Sequence, residues 1–321
     1  MKPAFLITID TEGDNLWSQE NIVTTKNTNY LPRFQDLCEK FKFKPTYLTN
    51  YEMAVDQYFS RFARDLINRN VAEIGMHLHA WNSPPEYFLT NQDHINKPYL
   101  IDFDETVMRS KVKLMTNLLE DTLSVKMLSH RAGRWAFDSR YAEILLDYGY
   151  KIDCSVTPGV SWQSTKGHPD GVGGTNYMEF PDCAYFMDAK DISKSENFGL
   201  LEIPMTIMGS IRPRYADILG NIPVARRLVS KKWPDPVWLR PNTFNLQAMI
   251  VLVEKALEQK RPYIEFMLHS SELMPGGSPN FPDKVSIEKL YADLEVLFSH
   301  IEKNFKGYTL KDYGSKYFAI C

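Results

Sequence analysis

Short apolar runs rich in β-branched residues alternate along this chain with amphipathic stretches of helical period. The run AFLITI, Ala4 to Ile9, predicts a buried strand that ends at Asp10. NYLPRFQDLCEKF then has helical spacing, and KPTYLT reads as a second strand. YFSRFARDLINRN is the next helix and VAEIGMHLH the third strand. The long amphipathic DETVMRSKVKLMTNLLEDTL precedes VKMLSHRAG, a strand running into a loop. DSRYAEILLDYGY and KIDCSV repeat the order, and GLLEIPMTI, NLQAMIVLVEKALEQ, PYIEFMLHSS and SIEKLYADLEVLFSHIEKNF close it as strand, helix, strand and helix. Strands separated by helices imply right-handed crossovers and a parallel sheet. About seven such units at this length favour an α/β fold closed into a distorted (β/α) barrel over an open sheet. We expect one domain over residues 1–321. Loop-rich insertions near 157–197 and 210–241 would lie over one face, because long loops in compact domains are usually functional.

Composition narrows the function classes. At 44% hydrophobic and 24% charged residues the chain reads as an ordinary globular protein rather than a disordered one. A formal net charge of -3 gives no electrostatic case for nucleic acid or an anionic membrane. No apolar stretch is long enough to span a bilayer, and MKPAFLITIDTEGD lacks the length and cleavage site of a signal peptide. Cys38, Cys154, Cys183 and Cys321 form no CxxC pair, so reduced thiols and a cytoplasmic location are the expectation. Nothing in the sequence speaks to the oligomeric state.

The candidate chemistry falls in one place relative to the strands. In EIGMHLHAW, His77 and His79 are two positions apart, the repeat of a strand, so their imidazoles point the same way. Two converging imidazoles suit a transition metal, zinc above all. Such a pair can also be one satisfied polar residue and one solvated residue. Asp10 and Glu12 follow the first strand, Arg131 follows MLSH, Asp153 ends YKID and His269 ends IEFML. All lie at the C-terminal ends of predicted strands, where barrel enzymes build their sites.

In order and spacing these segments resemble the five motifs of the polysaccharide deacetylase family, the carbohydrate esterases of the NodB homology domain. TIDTEGD stands for the first motif, IGMHLHAW for the second, HRAGRW for the third, IDCSVTP for the fourth and FMLHSSELMPGG for the fifth. The family's second metal histidine usually lies four residues after the first; here that position is Trp81 and His79 is the substitute. The usual adjacent Asp pair is replaced by Asp10 and Glu12. The resemblance implies a divalent metal, zinc by preference, on Glu12, His77 and His79. It implies Asp10 as the base that takes a proton from water, with Arg131 holding Asp10 ionised. His269 would be the acid that protonates the departing amine, and Asp153 would keep that imidazole charged. Arg134 competes with Arg131 for its role, and Asp153 can alternatively cap a turn in DCSVTP. His130, on the opposite strand face from Arg131, reads as a packing residue, and His94, His168 and His300 as uninvolved.

Rings stack on the apolar faces of sugars. Of the tryptophans that follow motif residues, Trp17, Trp81, Trp135 and Trp162, we take Trp81 and Trp135 as substrate-binding. The basic stretch Arg226, Arg227, Lys231 and Lys232 can meet an anionic substrate group or be plain solvated surface. The expected activity is metal-dependent N-deacetylation of a sugar of a surface polysaccharide, of O-antigen type, or of its precursor. Two alternatives are a deacetylase-fold protein that binds carbohydrate without turnover, and a barrel glycosidase using two acids such as Glu12 and Glu272.

Overall fold

A computed structural model describes residues 2–16, 18, 22–213, 216 and 223–319. Trp17 and Cys321 lie outside the described residues.

Strand alternation divides β1 (Ala4–Thr11) between two cores. Phe5, Ile7 and Ile9 face outward into the layer that the helices cover, whereas Ala4 and Leu6 face a smaller cluster with Leu48, Ile152, Cys154, Leu201, Ile203 and Tyr263. That second cluster is the barrel interior. Around β1 the chain sets α1 (Leu31–Lys40), β2 (Pro45–Thr49), α2 (Gln57–Arg69), β3 (Glu73–Leu78), α3 (Glu105–Leu123), β4 (Ser129–Ala132), α4 (Ser139–Asp147), β5 (Ile152–Asp153) and β6 (Leu201–Glu202). It continues with α5 (Leu246–Glu258), β7 (Tyr263–His269), α6 (Lys284–Ile301), β8 (Lys306–Tyr308) and α7 (Leu310–Phe318). Seven strands run parallel in the order β7-β1-β2-β3-β4-β5-β6, and β8 pairs with the first residues of β1. The expected α/β barrel of about seven parallel strands is the fold observed.

No paired strand closes the ring between β6 and β7 among the described residues. Single bonds cross the gap. The Thr206 carbonyl accepts from Leu239 N–H at 3.2 Å, the Leu239 carbonyl accepts from Met267 N–H at 3.2 Å, and Thr206 Oγ1 accepts from Glu265 N–H at 2.8 Å. Part of the predicted 210–241 insertion is therefore a wall of the barrel: Val237–Trp238 pairs antiparallel with Ile207–Met208 and leads into Leu239.

β8 and α7 carried no clear sequence signal. The segment LKDYGSKYF is weakly patterned and holds a glycine, yet it plugs the N-terminal end of the barrel with Leu310 and Tyr313. A Cβ at Gly314 would lie 2.5 Å from Ile152 Cδ1, so the helix seats against β5 only without a side chain there. Gly75 has the same kind of reason. Its Cβ would fall 2.6 Å from the Ser129 carbonyl oxygen and 2.8 Å from Leu48 Cδ2, inside the narrow barrel.

Candidate metal centre

Parallel register brings the polar residues to one level: Asp10 lies opposite His269 across β1 and β7, and His77 opposite Arg131 across β3 and β4. Strand alternation survives past the end of β3, so His77 and His79 turn their rings to the same side. Their Nε2 atoms are 3.0 Å apart, with the rings edge to face. Glu12 Oε2 lies 2.8 Å from His79 Nε2 and 3.7 Å from His77 Nε2. Donors on one ion at ordinary zinc distances stand roughly 3.4 Å apart at tetrahedral angles, and these three separations bracket that value. Among the described residues this is the one grouping of His, Cys, Asp or Glu side chains that converges in this way. The three expected ligands are brought together.

The surroundings orient the donors but do not treat the two imidazoles alike: burial lowers His77, yet Asp10 and Glu12 outweigh it and raise its pKa. His77 Nδ1 lies 2.9 Å from the Arg131 carbonyl, which accepts its proton and leaves the Nε2 lone pair facing inward. Burial, reinforced by His77 and opposed by Glu12, pushes His79 down to about 4, so it stays neutral. Burial opposes the charge of Glu12, but His269, His77 and His79 outweigh it and hold its carboxyl well below the usual range. Its backbone is clamped as well. Ser270 Oγ accepts from Glu12 N–H at 3.0 Å and donates to the Glu12 carbonyl at 2.9 Å, and Asn27 Nδ2 donates to the same carbonyl at 2.7 Å. Next to it, Gly13 N–H donates to the buried Glu52 at 2.6 Å.

Asp10 stands beside this trio. Its Oδ1 accepts from Arg131 NH1 at 2.6 Å, and its Oδ2 faces His77 Nε2 at 3.9 Å and His269 Nε2 at 3.8 Å. Burial raises its carboxyl, yet Arg131, His77 and His269 more than offset that and leave it lowered. Arg131 is fully buried and also binds Glu265, Thr8 Oγ1 at 2.8 Å and the Cys154 carbonyl at 3.1 Å. The competition with Arg134 is decided: Arg131 holds Asp10, while Arg134 lies on the cavity wall.

Asp153 corrects an expectation. It was to pair with His269, but it sits between Ile152 and Cys154, which face the barrel interior, so alternation turns it outward. There Asp153 Oδ1 accepts from His130 Nδ1 at 2.6 Å, and Oδ2 accepts from Ser155 N–H at 2.9 Å, the turn cap that the sequence allowed. His130 in turn accepts from Tyr141 OH at 2.7 Å, in the packing role expected for it.

His269 has other company. Arg240 NH2 lies 2.8 Å from His269 Nδ1, and Glu272 accepts from Arg240 at 3.1 Å and from His269 N–H at 2.8 Å. The same Nδ1 lies 3.4 Å from Glu272 Oε2, and Nε2 faces Asp10 Oδ2 and Glu12 Oε1 at 3.8 Å each. Sequence reasoning missed Arg240. The one signal for it was its place after the apolar PVWL, a short run inside the predicted insertion.

A cavity of about 340 Å³ opens onto the centre, lined by Asp10, His77, His79, His269 and Arg240 on its floor. Tyr99, Arg134, Trp135, Trp162 and Thr165 form the walls. Trp135, one of the two tryptophans expected to bind substrate, lies on the wall of this cavity. Trp81 does not: it stacks on His79 at 4.2 Å between ring centroids and lines separate cavities beyond it. Trp162, from the first insertion, takes its place at the rim.

The architecture is similar to that of solved structures at low sequence identity. A Mycobacterium smegmatis protein assigned as a polysaccharide deacetylase matches with TM-score 0.54 and 13% identity over 100% of this chain and 92% of that one. A Parabacteroides distasonis protein assigned as a glycoside hydrolase/deacetylase matches with TM-score 0.65 and 7% identity over 99% and 72%. A protein of Pseudomonas aeruginosa PAO1 assigned as a polysaccharide deacetylase matches with TM-score 0.52 and 11% identity over 98% and 90%. At these identities the likeness establishes a shared fold, the NodB-like fold expected from the motifs. No protein-family model and no curated protein matches the sequence.

Proposed function

We propose that this protein is a metal-dependent hydrolase that removes N-acetyl groups from a saccharide, a sugar of an O-antigen-type surface polysaccharide or its precursor. The observation that carries the reading is the convergence of Glu12, His77 and His79 beside an arginine-clamped Asp10 at the floor of an aromatic-walled cavity. Two imidazoles and a carboxylate are a donor set that fits zinc. Such an ion supplies Lewis acidity, making water acidic near neutral pH and polarising an amide carbonyl.

The chain's own groups do the rest. Asp10, ionised and fixed through Oδ1, offers Oδ2 to take the proton of the attacking water. The C–N bond breaks to give acetate and a free amine, whose nitrogen must gain a proton. Asp10, protonated by then, returns its proton to that nitrogen, and His269, whose Nε2 lies 3.8 Å from Asp10 Oδ2, holds the leaving group by a hydrogen bond. The charge that was to come from Asp153 is not supplied; Arg240 and Glu272 orient the ring instead. Trp135, Trp162 and Tyr99 offer faces for the sugar.

The two-acid glycosidase reading fits the electrostatics poorly, because a general acid needs a raised pKa. Burial favours the neutral form of Glu272, but Arg240 and His269 pull it down to about 2, and Glu12 is likewise depressed. The test is acetate release from a panel of N-acetylated glycans by zinc-loaded, chelated and Asp10→Asn protein. Asp10→Asn should retain metal and lose about 10²–10⁴-fold in rate, the scale of a positioned base. Wild-type release by that variant, or release indifferent to chelation, would overturn the mechanism.

A further inference from the structure

Arg134 has no part in the chemistry above, yet the fold goes to some trouble to place it. Gly133 lets the turn after β4 pass against His79: a Cβ there would lie 2.4 Å from the Leu78 carbonyl oxygen and 2.8 Å from His79 Nδ1. The next two residues, Arg134 at φ 56° and Trp135 at φ 62°, are both left-handed, a conformation that non-glycine residues rarely adopt. This double turn sets the indole and the guanidinium side by side on the cavity wall.

The direct partners of Arg134 are uncharged, and the nearest carboxylate that acts on it, Asp102, does so from beyond ion-pair distance. Its nitrogens donate to the carbonyls of Asn96, Lys97 and Lys166, and its guanidinium stacks on Tyr99 at 4.3 Å. Among the described residues no carboxylate lies within ion-pair distance of it, whereas Arg131 pairs with Asp10 and Glu265, and Arg240 with Glu272. A half-buried cation facing a cavity with no carboxylate in direct contact gains from a ligand that brings a negative charge to it. The loops that hold it, 96–97 and 165–166, border the same space, and Tyr99 OH donates to the Thr165 carbonyl at 2.8 Å.

We propose that the cavity selects an N-acylated sugar carrying an anionic group, a carboxylate or a phosphate, which docks against Arg134 while the sugar ring lies along Trp135 and Trp162. The inference rests on the saccharide reading above and narrows its substrate class. Sugar hydroxyls give Arg134 only neutral partners; an oxyanion gives it charge-assisted hydrogen bonds.

The test is binding, measured by calorimetry at low and high salt with N-acetylglucosamine, N-acetylglucosamine 1-phosphate, N-acetylglucosamine 6-phosphate and N-acetylglucosaminuronic acid. Wild type should bind at least one charged sugar about tenfold or more tighter than the neutral one, with the advantage shrinking in salt. The uronic acid and the phosphates separate the two sources of charge. Arg134→Gln should abolish the advantage, and Arg134→Lys should keep part of it. Because Arg134 also ties two loops, preference and salt dependence in the wild type decide the matter even if a variant folds poorly. Equal affinity for neutral and charged sugars, or a preference that persists in Arg134→Gln, would overturn the proposal. Charged sugars that bind through Arg134 but release no acetate from zinc-loaded protein would sink the deacetylase reading and leave this one standing.

Discussion

Replacing Arg131 by methionine tests the electrostatic core of the site. The side chain is fully buried and joins two carboxylates, Asp10 and Glu265, while also bonding Thr8 Oγ1 and the Cys154 carbonyl. Removing one partner of a buried ion pair costs about 3–5 kcal/mol, because the other charge is left uncompensated. The penalty must depend on pH. In the wild type Asp10 is depressed, so it contributes stability above its unfolded value of 3.8 that is lost as pH falls through its folded value. Burial already pushes Glu265 up to about 7 against the pull of Arg131, so it detracts as pH rises from 4.5 through 7. Without Arg131 both carboxyls are raised, and both penalties grow with pH. Urea unfolding of metal-free Arg131→Met should therefore show a deficit of about 3–5 kcal/mol at pH 8 and a distinctly smaller one at pH 5. Adding Glu265→Gln removes one stranded carboxylate and should recover at least about 1 kcal/mol, without restoring turnover, since Asp10 stays protonated. A deficit that is the same at both pH values, or below about 1 kcal/mol at pH 8, would refute the assignment of Arg131 as the counter-charge of Asp10.

Three further outcomes follow from the geometry. His77→Ala and His79→Ala should each lose zinc under mild chelation that leaves the wild type loaded, as read by metal content; if His79→Ala kept zinc as tightly as wild type, His79 would not be a ligand. Asp153→Asn should lower stability by about 1–3 kcal/mol through the His130 and Ser155 bonds and leave kcat unchanged, and a large loss of rate at unchanged stability would restore it to the site. Burial, against the Gly13 N–H bond, pushes Glu52 up to about 7, so it costs the folded state stability as pH rises from 4.5 through 7. Glu52→Gln should accordingly gain on the wild type by about 2–3 kcal/mol between pH 5 and pH 8 in urea midpoints, and parallel curves would show that Glu52 titrates normally.

The sequence by itself determined which faces the reactive groups occupy. Period-two alternation put His77 and His79 on one side, apolar β-branched runs ending in Asp10 and His269 marked the C-terminal rim, and the strand-helix rhythm implied the parallel barrel. These are local properties, set by the geometry of a pleated strand within a few residues. What the tertiary structure decided is which groups meet across the barrel. Asp153 follows a strand end as the others do, but the register of β5 turns it outward to His130, and Arg240, about thirty residues before His269 in the chain, takes its place beside the ring. Trp81 was displaced from the cavity by stacking on His79, and Trp162 was brought in by a loop whose path no periodicity encodes. The closing contacts of Thr206 and Leu239 and the plug formed by α7 likewise join segments far apart in sequence. A hydrophobic pattern fixes the direction of a side chain relative to its own strand, whereas the partner it finds depends on where every other strand comes to rest.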